Sequence, residues 1–84
     1  MVTTVLFFAS LRESLGIAST AVELPPGVTT VAALRDHLAT RGDAWLALTQ
    51  TRNLRAAVNL ALVKMDAEVK DGDEVAFFPP VTGG

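Results

Sequence analysis

The sequence predicts a small domain of the α+β class. Three observations support this prediction: a β-branched and aromatic segment near the N-terminus, a middle segment whose apolar residues recur at helical spacing, and an aromatic segment near the C-terminus. The chain has 84 residues, a length typical of one domain. We therefore expect two strands, one main helix and further strands, in that order along the chain.

The first predicted strand covers residues 3–9, which are mostly β-branched or aromatic. Val5 and Phe7 point to one face of this strand, and Leu6 and Phe8 point to the other. A strand with one face in water alternates between apolar and polar residues, and this segment does not. We therefore expect both faces to be covered.

A short helix is predicted to follow at residues 11–15. Ser10 and Glu13 form the pattern of a capping box, in which the serine side chain caps the helix and the glutamate lies three residues later. Gly16 suits the end of this helix. Residues 20–24 alternate weakly and are predicted to form a second strand, which is close enough to the first for a hairpin-like pair.

The main helix is predicted to begin after Thr29 or Thr30, because either side chain can cap it. Gly42 is predicted to end it. A second short helix at residues 43–49 is expected to pack the indole of Trp45 on the core. The apolar residues that share one face of the main helix are Val31, Leu34 and Leu38.

The C-terminal third of the chain is predicted to hold three strands, at residues 55–59, 61–65 and 74–78. Asp71-Gly72-Asp73 is a turn signal before the last strand. Pro79 and Pro80 cannot continue the interior of a sheet, so the chain is expected to leave the sheet there. We therefore predict a domain of residues 1–80 and a flexible C-terminal tail of residues 81–84.

Composition excludes several classes of function. The formal net charge is -2 without a basic patch, which argues against a nucleic-acid partner. No apolar run is long enough to span a membrane and no signal peptide is visible, so a cytoplasmic location is expected. Cysteine is absent and His37 is the only histidine, so neither a thiol nucleophile nor a metal cluster is supported.

The tail is where chemistry remains possible. It ends in Gly83-Gly84, and its four residues can extend roughly 13 Å beyond Pro80. Glycines have no Cβ, so such a backbone can enter a narrow channel and approach phosphates closely. A carboxylate is a poor electrophile until it is activated, for example as an acyl-adenylate. Because the chain has no cysteine, the carboxylate of Gly84 is the plausible place to carry sulfur, as a thiocarboxylate.

The motifs together resemble one known family. Residues 71–84, DGDEVAFFPPVTGG, closely resemble the C-terminal signature of the molybdopterin synthase small subunit. Residues 5–9, VLFFA, followed by Arg12 and Glu13, are similar to that family's first strand and helix, and residues 56–59, AAVN, to its third strand. The resemblance covers essentially the whole chain and implies a ubiquitin-like β-grasp fold.

The resemblance also implies a function in molybdenum cofactor biosynthesis. An E1-like enzyme adenylates Gly84 with ATP, a sulfurtransferase supplies sulfur, and the thiocarboxylate converts cyclic pyranopterin monophosphate to molybdopterin. Two small and two large subunits form a heterotetramer whose catalytic side chains lie on the large subunit, so the small subunit acts as a co-substrate and binds no cofactor itself.

The same resemblance assigns roles to individual residues. Gly83 lets the tail pass through a confined channel. Arg12 makes a polar contact with the activating enzyme. The other residues implied to contact partners are Phe8, Leu62 and Phe78 on the domain and Pro79, Pro80, Val81 and Thr82 leading into the tail.

Three other functions remain compatible with the sequence. A thiamine-type sulfur carrier and a ubiquitin-like protein modifier both use a terminal Gly-Gly, and isopeptide conjugates would favour the modifier. A plain interaction domain with an inert tail is the third, and normal function after loss of Gly84 would favour it.

Overall fold

The computed structural model describes residues 2–80. The predicted tail, residues 81–84, lies outside the described residues. The elements, in chain order, are β1 (Thr3–Phe7), α1 (Ala9–Leu15), β2 (Ser19–Val22), α2 (Val31–Ala39), a 3-10 helix (Asp43–Leu46), α3 (Ala47–Gln50), β3 (Arg55–Val58), β4 (Ala61–Val63) and β5 (Glu74–Phe78).

The strands form one mixed sheet in the order β2-β1-β5-β3-β4. The first and last strands are parallel neighbours at its centre, with Val5 opposite Val75 and Phe7 opposite Phe77. The other pairings are antiparallel, including the predicted pairing of β1 with β2. The α+β prediction is therefore confirmed, and the strands are shorter than predicted at several ends.

The core lies between the sheet and the helices. Val5, Phe7, Val75 and Phe77 project from the central strands toward the helices, and each is at most 1% exposed. The predicted apolar face of α2 meets them and is fully buried. The buried core residues are Val5, Phe7, Leu11, Val22, Val31, Leu34, Leu38, Leu48, Ala56, Val69, Val75 and Phe77.

Helix α2 begins as predicted and ends earlier than predicted. The Thr30 side-chain oxygen accepts a 3.1 Å hydrogen bond from the backbone N–H of Ala33, which caps the helix. The helix ends at Ala39, where the side chain and backbone of Thr40 bond to carbonyls of the last turn. Gly42 instead precedes the 3-10 helix, so the prediction that it ends α2 is wrong.

Trp45 packs on the core, as predicted. Its ring meets the ring of Phe7 edge to face, with centroids 5.7 Å apart. The guanidinium of Arg41 lies over the indole ring, 5.0 Å from its centroid. Arg41 also donates a 3.1 Å hydrogen bond to the hydroxyl of Thr20 on β2, which ties this segment to the sheet edge.

The capping box predicted at Ser10 is wrong. Helix α1 already begins at Ala9, and Phe8, whose side chain has no oxygen, occupies the N-cap position. Ala9 has φ 53°, so the chain turns sharply out of β1, and the Phe8 carbonyl accepts hydrogen bonds from the N–H groups of Leu11 and Arg12. The prediction that Gly16 ends the helix is confirmed, since its φ is 74° and its N–H bonds to Arg12.

Within residues 2–80, no helix is both long and apolar enough to cross a membrane. The same residues include no group of three or more His, Asp or Glu side chains placed to hold a metal ion.

Candidate functional site

The side of the sheet opposite the helices carries a row of apolar residues. Leu6 on β1 is opposite Ala76 on β5, and Ala76 is opposite Ala57 on β3. Ala57 is in turn opposite Leu62 on β4. Because residues directly opposite one another share a face, this row runs across four strands.

Two aromatic residues extend the row toward one end of the sheet. Phe78 lies two residues beyond Ala76 on β5 and therefore shares its face. Phe8 lies two residues beyond Leu6, directly after the pair formed by Phe7 and Phe77. We call the resulting surface the apolar face, and it consists of Leu6, Phe8, Ala57, Leu62, Ala76 and Phe78.

The apolar face is open in the described part of the chain. Phe8 is 48% exposed and Leu62 is 73% exposed, although both are large and hydrophobic. Leu6 is half-buried. The prediction that both faces of β1 are covered is therefore wrong within residues 2–80: the helices cover only the side of Val5 and Phe7. Exposed apolar surface of this kind marks an interaction site.

The apolar face lies beside the root of the tail. Because β1 and β5 are parallel, both strands finish at the same end of the sheet. Phe8 therefore lies next to Phe78, where the chain leaves β5. Pro79 and Pro80 follow directly and are half-buried. Val81, Thr82, Gly83 and Gly84 continue from this point and lie outside the described residues.

Arg12 is exposed on α1, one helical turn beyond Phe8. Among residues 2–80, its guanidinium has no ion-pair partner. It lines a shallow depression with Glu13, Ile17 and Ala18. Helix α1 follows β1 immediately, and β1 ends beside the root of the tail, so the depression lies near that root. Arg12 can therefore form an ion pair with a partner that covers this end of the sheet.

A polar cluster lies at the opposite end of the sheet, where β5 begins. The Asp73 carboxylate accepts hydrogen bonds from the Asn59 side-chain amide at 3.0 Å and from the Lys70 backbone N–H at 2.9 Å. The Asn59 side-chain carbonyl accepts a bond from the Glu74 N–H at 3.0 Å. The bond from Asn59, followed by that from Lys70, holds the pKa of Asp73 below its ordinary value. The predicted turn at residues 71–73 is thereby confirmed.

The sequence patterns did not identify one exposed residue at this end of the sheet. Leu60 lies in the turn between β3 and β4 and is 91% exposed. The only signal in the sequence is a leucine after an asparagine between two short apolar segments, which is a weak turn pattern.

The fold and the tail root together define the class of protein. One main helix packed on a mixed sheet, with the last strand central and continuing into the C-terminus, is the arrangement of ubiquitin-like β-grasp proteins. The ThiS family model matches residues 5–84, and the chain belongs to the ThiS family.

Curated relatives agree with this assignment. The chain is 51% identical to the molybdopterin synthase sulfur carrier subunit of Escherichia coli, over 95% of this chain and 96% of the relative. It is 46% identical to the subunit with the same name from Haemophilus influenzae, with the same coverage of both chains.

Solved structures share the fold. The small archaeal modifier protein 1 of Haloferax volcanii superposes with a TM-score of 0.75 at 25% identity, covering 95% of this chain and 98% of that one. A chain in the complex of subunits 1 and 2 of the molybdopterin-converting factor from Helicobacter pylori superposes with a TM-score of 0.65 at 25% identity, covering all of both chains.

Proposed function

We propose that this chain is the sulfur carrier subunit of a molybdopterin synthase and that Gly84 carries the sulfur. One structural observation carries the proposal: the parallel pairing of β1 and β5 brings Phe8 and Phe78 together at the point where the tail begins. A partner that covers the apolar face is thereby positioned to receive the tail. Identity of 51% to a molybdopterin synthase sulfur carrier subunit supports the same function.

The chemistry proposed for the tail has three steps. An E1-like enzyme joins the Gly84 carboxylate to AMP, and pyrophosphate leaves from ATP. A sulfurtransferase then delivers sulfur to the activated carbonyl, AMP leaves, and a thiocarboxylate remains. In the third step two thiocarboxylated carriers each pass one sulfur to cyclic pyranopterin monophosphate, and the two sulfurs form the dithiolene of molybdopterin. Water releases each carrier as its free carboxylate, which returns for another cycle.

The residues of this chain position the tail and do not catalyse the reaction. The apolar face docks on the large subunit, and Pro79 and Pro80 stiffen the chain as it leaves the sheet, because each proline fixes its φ. Val81, Thr82 and Gly83 then pass through a confined channel. The catalytic side chains belong to the large subunit, and two copies of each subunit form the synthase. The similar Helicobacter pylori protein was solved in a complex of subunits 1 and 2, which supports this partner.

Removing Gly84 tests the proposal. The shortened chain moves the reactive carbonyl back by up to about 3.6 Å, and misplacement of about 1 Å can already cost on the order of a hundredfold in rate. We expect it to fold, to bind the large subunit with unchanged affinity, and to accept neither AMP nor sulfur. The control is the full-length chain with a chemically installed thiocarboxylate, which should form molybdopterin without the activating enzyme.

Intact-mass spectrometry and an assay of molybdopterin synthesis test whether Gly84 carries the sulfur. Intact-mass spectrometry of the protein from its host should show a fraction heavier by the difference between sulfur and oxygen. Molybdopterin synthesis by the shortened chain at the full-length rate would contradict the proposal.

The likeness to a small archaeal modifier protein supports a second candidate, conjugation to other proteins. Isopeptide-linked products of the full-length chain, absent for the shortened chain, would favour that function.

A further inference from the structure

Leu60 is the most exposed large hydrophobic residue among those described, at 91%. It lies in a two-residue turn, because Val58 and Ala61 on either side of the turn are a cross-strand pair. Both turn residues have positive φ, 49° at Asn59 and 72° at Leu60. These angles fit a type I′ hairpin turn, whose second central position favours glycine.

A leucine at this position is unfavourable in the isolated chain on two grounds. Its Cβ disfavours the left-handed backbone conformation, which glycine adopts freely. Its side chain also gains nothing from burial, since it is almost fully exposed. Strain of this kind, together with an exposed apolar side chain, points to a function outside the fold.

The turn is also held firmly. The Asn59 N–H donates a 2.7 Å hydrogen bond to the Glu74 carbonyl, and its side chain bonds to the Glu74 N–H and to Asp73. These contacts fix the turn to the start of β5. The Leu60 side chain is therefore presented from a rigid support, which lowers the entropy lost when a partner buries it.

The turn is continuous with the apolar face. Leu62, two residues further along β4, belongs to that face and is 73% exposed. The pairing of β3 with β5 places Val58 opposite Val75 and Arg55 opposite Phe78, so Leu60 lies at the end of the sheet away from the tail root. The length of β5, roughly 13 Å at 3.3 Å per residue, separates the two ends.

We propose that Leu60 is an anchor residue for the large synthase subunit and inserts into an apolar pocket of that subunit. This proposal rests on the proposed function. With the tail held at one end of the sheet and Leu60 held at the other, the carrier has two widely separated points of attachment. Two such points fix the carrier's orientation and direct the tail along one line into the active site. The required pocket is apolar and large enough for one leucine side chain.

The test compares Leu60→Gly with the wild-type chain. Glycine removes the side chain and suits φ 72°, so the variant should be at least as stable as wild type in thermal unfolding. Its affinity for the large subunit should fall roughly tenfold to a hundredfold, measured by calorimetry. Leu60→Asn, which also tolerates this conformation, should give the same result and serves if the glycine variant folds poorly.

One control variant and one kinetic measurement accompany the binding test. Leu46→Ala alters an exposed leucine on the 3-10 helix, away from the apolar face, and should leave the affinity unchanged. In molybdopterin synthesis with carrier thiocarboxylated beforehand, Leu60→Gly should raise the carrier concentration needed for half-maximal rate and leave the maximal rate unchanged. A merely structural function of Leu60 would lower stability and would not separate these two quantities.

The outcomes distinguish this inference from the proposed function. If the wild-type chain fails to bind the large subunit, the proposed function is wrong. If the wild-type chain binds and Leu60→Gly binds within about twofold of it, the proposed function stands and Leu60 is not an anchor. Loss of self-association in Leu60→Gly, with unchanged affinity for the large subunit, would also overturn the inference, because the turn would then contact a second copy of the chain.

Discussion

The side-chain amide of Asn59 donates a 3.0 Å hydrogen bond to the carboxylate of Asp73, and this bond joins two turns that are 14 residues apart. The same asparagine side chain accepts a bond from the N–H of Glu74. Asp73 in turn accepts a bond from the Lys70 N–H. The cluster thereby fixes the β3–β4 hairpin, whose turn carries Leu60, to the start of β5.

Asn59→Gly should lower the free energy of unfolding by about 1–3 kcal/mol, the contribution of two side-chain hydrogen bonds. Glycine tolerates the φ of 49° at this position, so the loss reports the side chain and not the backbone. Unfolding by urea measures this change in the free energy of unfolding.

Asn53→Gly is the matched control for this change. Asn53 also has positive φ, 55°, and its side chain makes no hydrogen bond to another residue within 2–80. Its substitution should change stability by less than about 0.5 kcal/mol. Equal effects at the two asparagines would contradict a stabilising function of the cluster.

Asp73 should make stability depend on pH in the acid range. Its pKa is lowered in the folded state, first by the Asn59 side chain and then by the Lys70 N–H. Stabilisation by the ionised carboxylate is therefore fully present above the ordinary pKa of 3.8 and is lost as the pH falls through the folded-state value. Asp73→Asn should be less stable than wild type at neutral pH, and the difference should shrink below about pH 4.

Unfolding by urea at several pH values measures this difference. A gap between wild type and Asp73→Asn that stays constant from neutral pH into strong acid would show that ionisation of Asp73 does not stabilise the fold.

Phe7 and Phe8 are adjacent in sequence and should respond oppositely to substitution. Phe8 is 48% exposed on the apolar face, so Phe8→Ala should leave the melting temperature nearly unchanged. Burial of an aromatic side chain by the large subunit predicts a loss of affinity of roughly tenfold to a hundredfold. Calorimetric titration and thermal unfolding measure the two effects.

Phe7→Leu is the control for Phe8→Ala. Phe7 is 1% exposed and contacts the Trp45 ring, so this change should cost about 1–2 kcal/mol of stability. The folded variant should keep its affinity for the large subunit. If Phe8→Ala instead loses stability and affinity together, Phe8 belongs to the core and not to the interface.

Arg12→Glu should slow adenylation of the tail and leave the fold intact. The exposed guanidinium lies near the tail root and forms no ion pair with residues 2–80. Reversal of its charge should weaken the polar contact that we propose Arg12 makes with the activating enzyme, and salt should reduce the difference from wild type. Pyrophosphate release measures the rate.

Lys70→Glu, a charge reversal at an exposed residue beside the start of β5 and away from the tail root, serves as the control for Arg12→Glu. It should adenylate at nearly the wild-type rate. Equal rates for both variants and wild type at every salt concentration would exclude a specific contact by Arg12.

Local sequence patterns predicted the elements better than the relationships between them. The helical spacing of Val31, Leu34 and Leu38 identified α2 because that face meets only the core. Alternation along a strand places Leu6 with Phe8 on β1 and Ala76 with Phe78 on β5, but whether the two pairs share a face of the sheet depends on the register between β1 and β5. That register joins residues about 70 positions apart and is set by core packing, which no local pattern encodes.

One local prediction failed because tertiary structure overrode it, and one exposed residue was missed. The capping box predicted at Ser10 does not form because the chain turns sharply out of β1 at Ala9. The Phe8 carbonyl accepts the hydrogen bonds from the first turn of α1 instead. Leu60 was missed because leucine is a poor residue for a turn with positive φ, so no strong turn signal is present at residues 59–60.

Gly83→Val tests whether the tail must pass through a confined channel. A β-branched side chain next to the terminal residue would crowd a channel that accepts a bare glycine backbone. The variant should fold and bind the large subunit like wild type, because Phe8 and the rest of the apolar face are unchanged. Adenylation and sulfur transfer should slow by about a hundredfold or more, because the reactive carbonyl is displaced.

Thr82→Val is the matched control for Gly83→Val, since threonine and valine have nearly the same shape and both are β-branched. This change should leave adenylation within a fewfold of wild type, because the tail already carries a side chain of that size at this position. Single-turnover rates of adenylation and of sulfur transfer to the pyranopterin give the comparison. If Gly83→Val reacts as fast as Thr82→Val, the space around residue 83 is not confined, and the terminal glycines then serve only to keep the tail flexible.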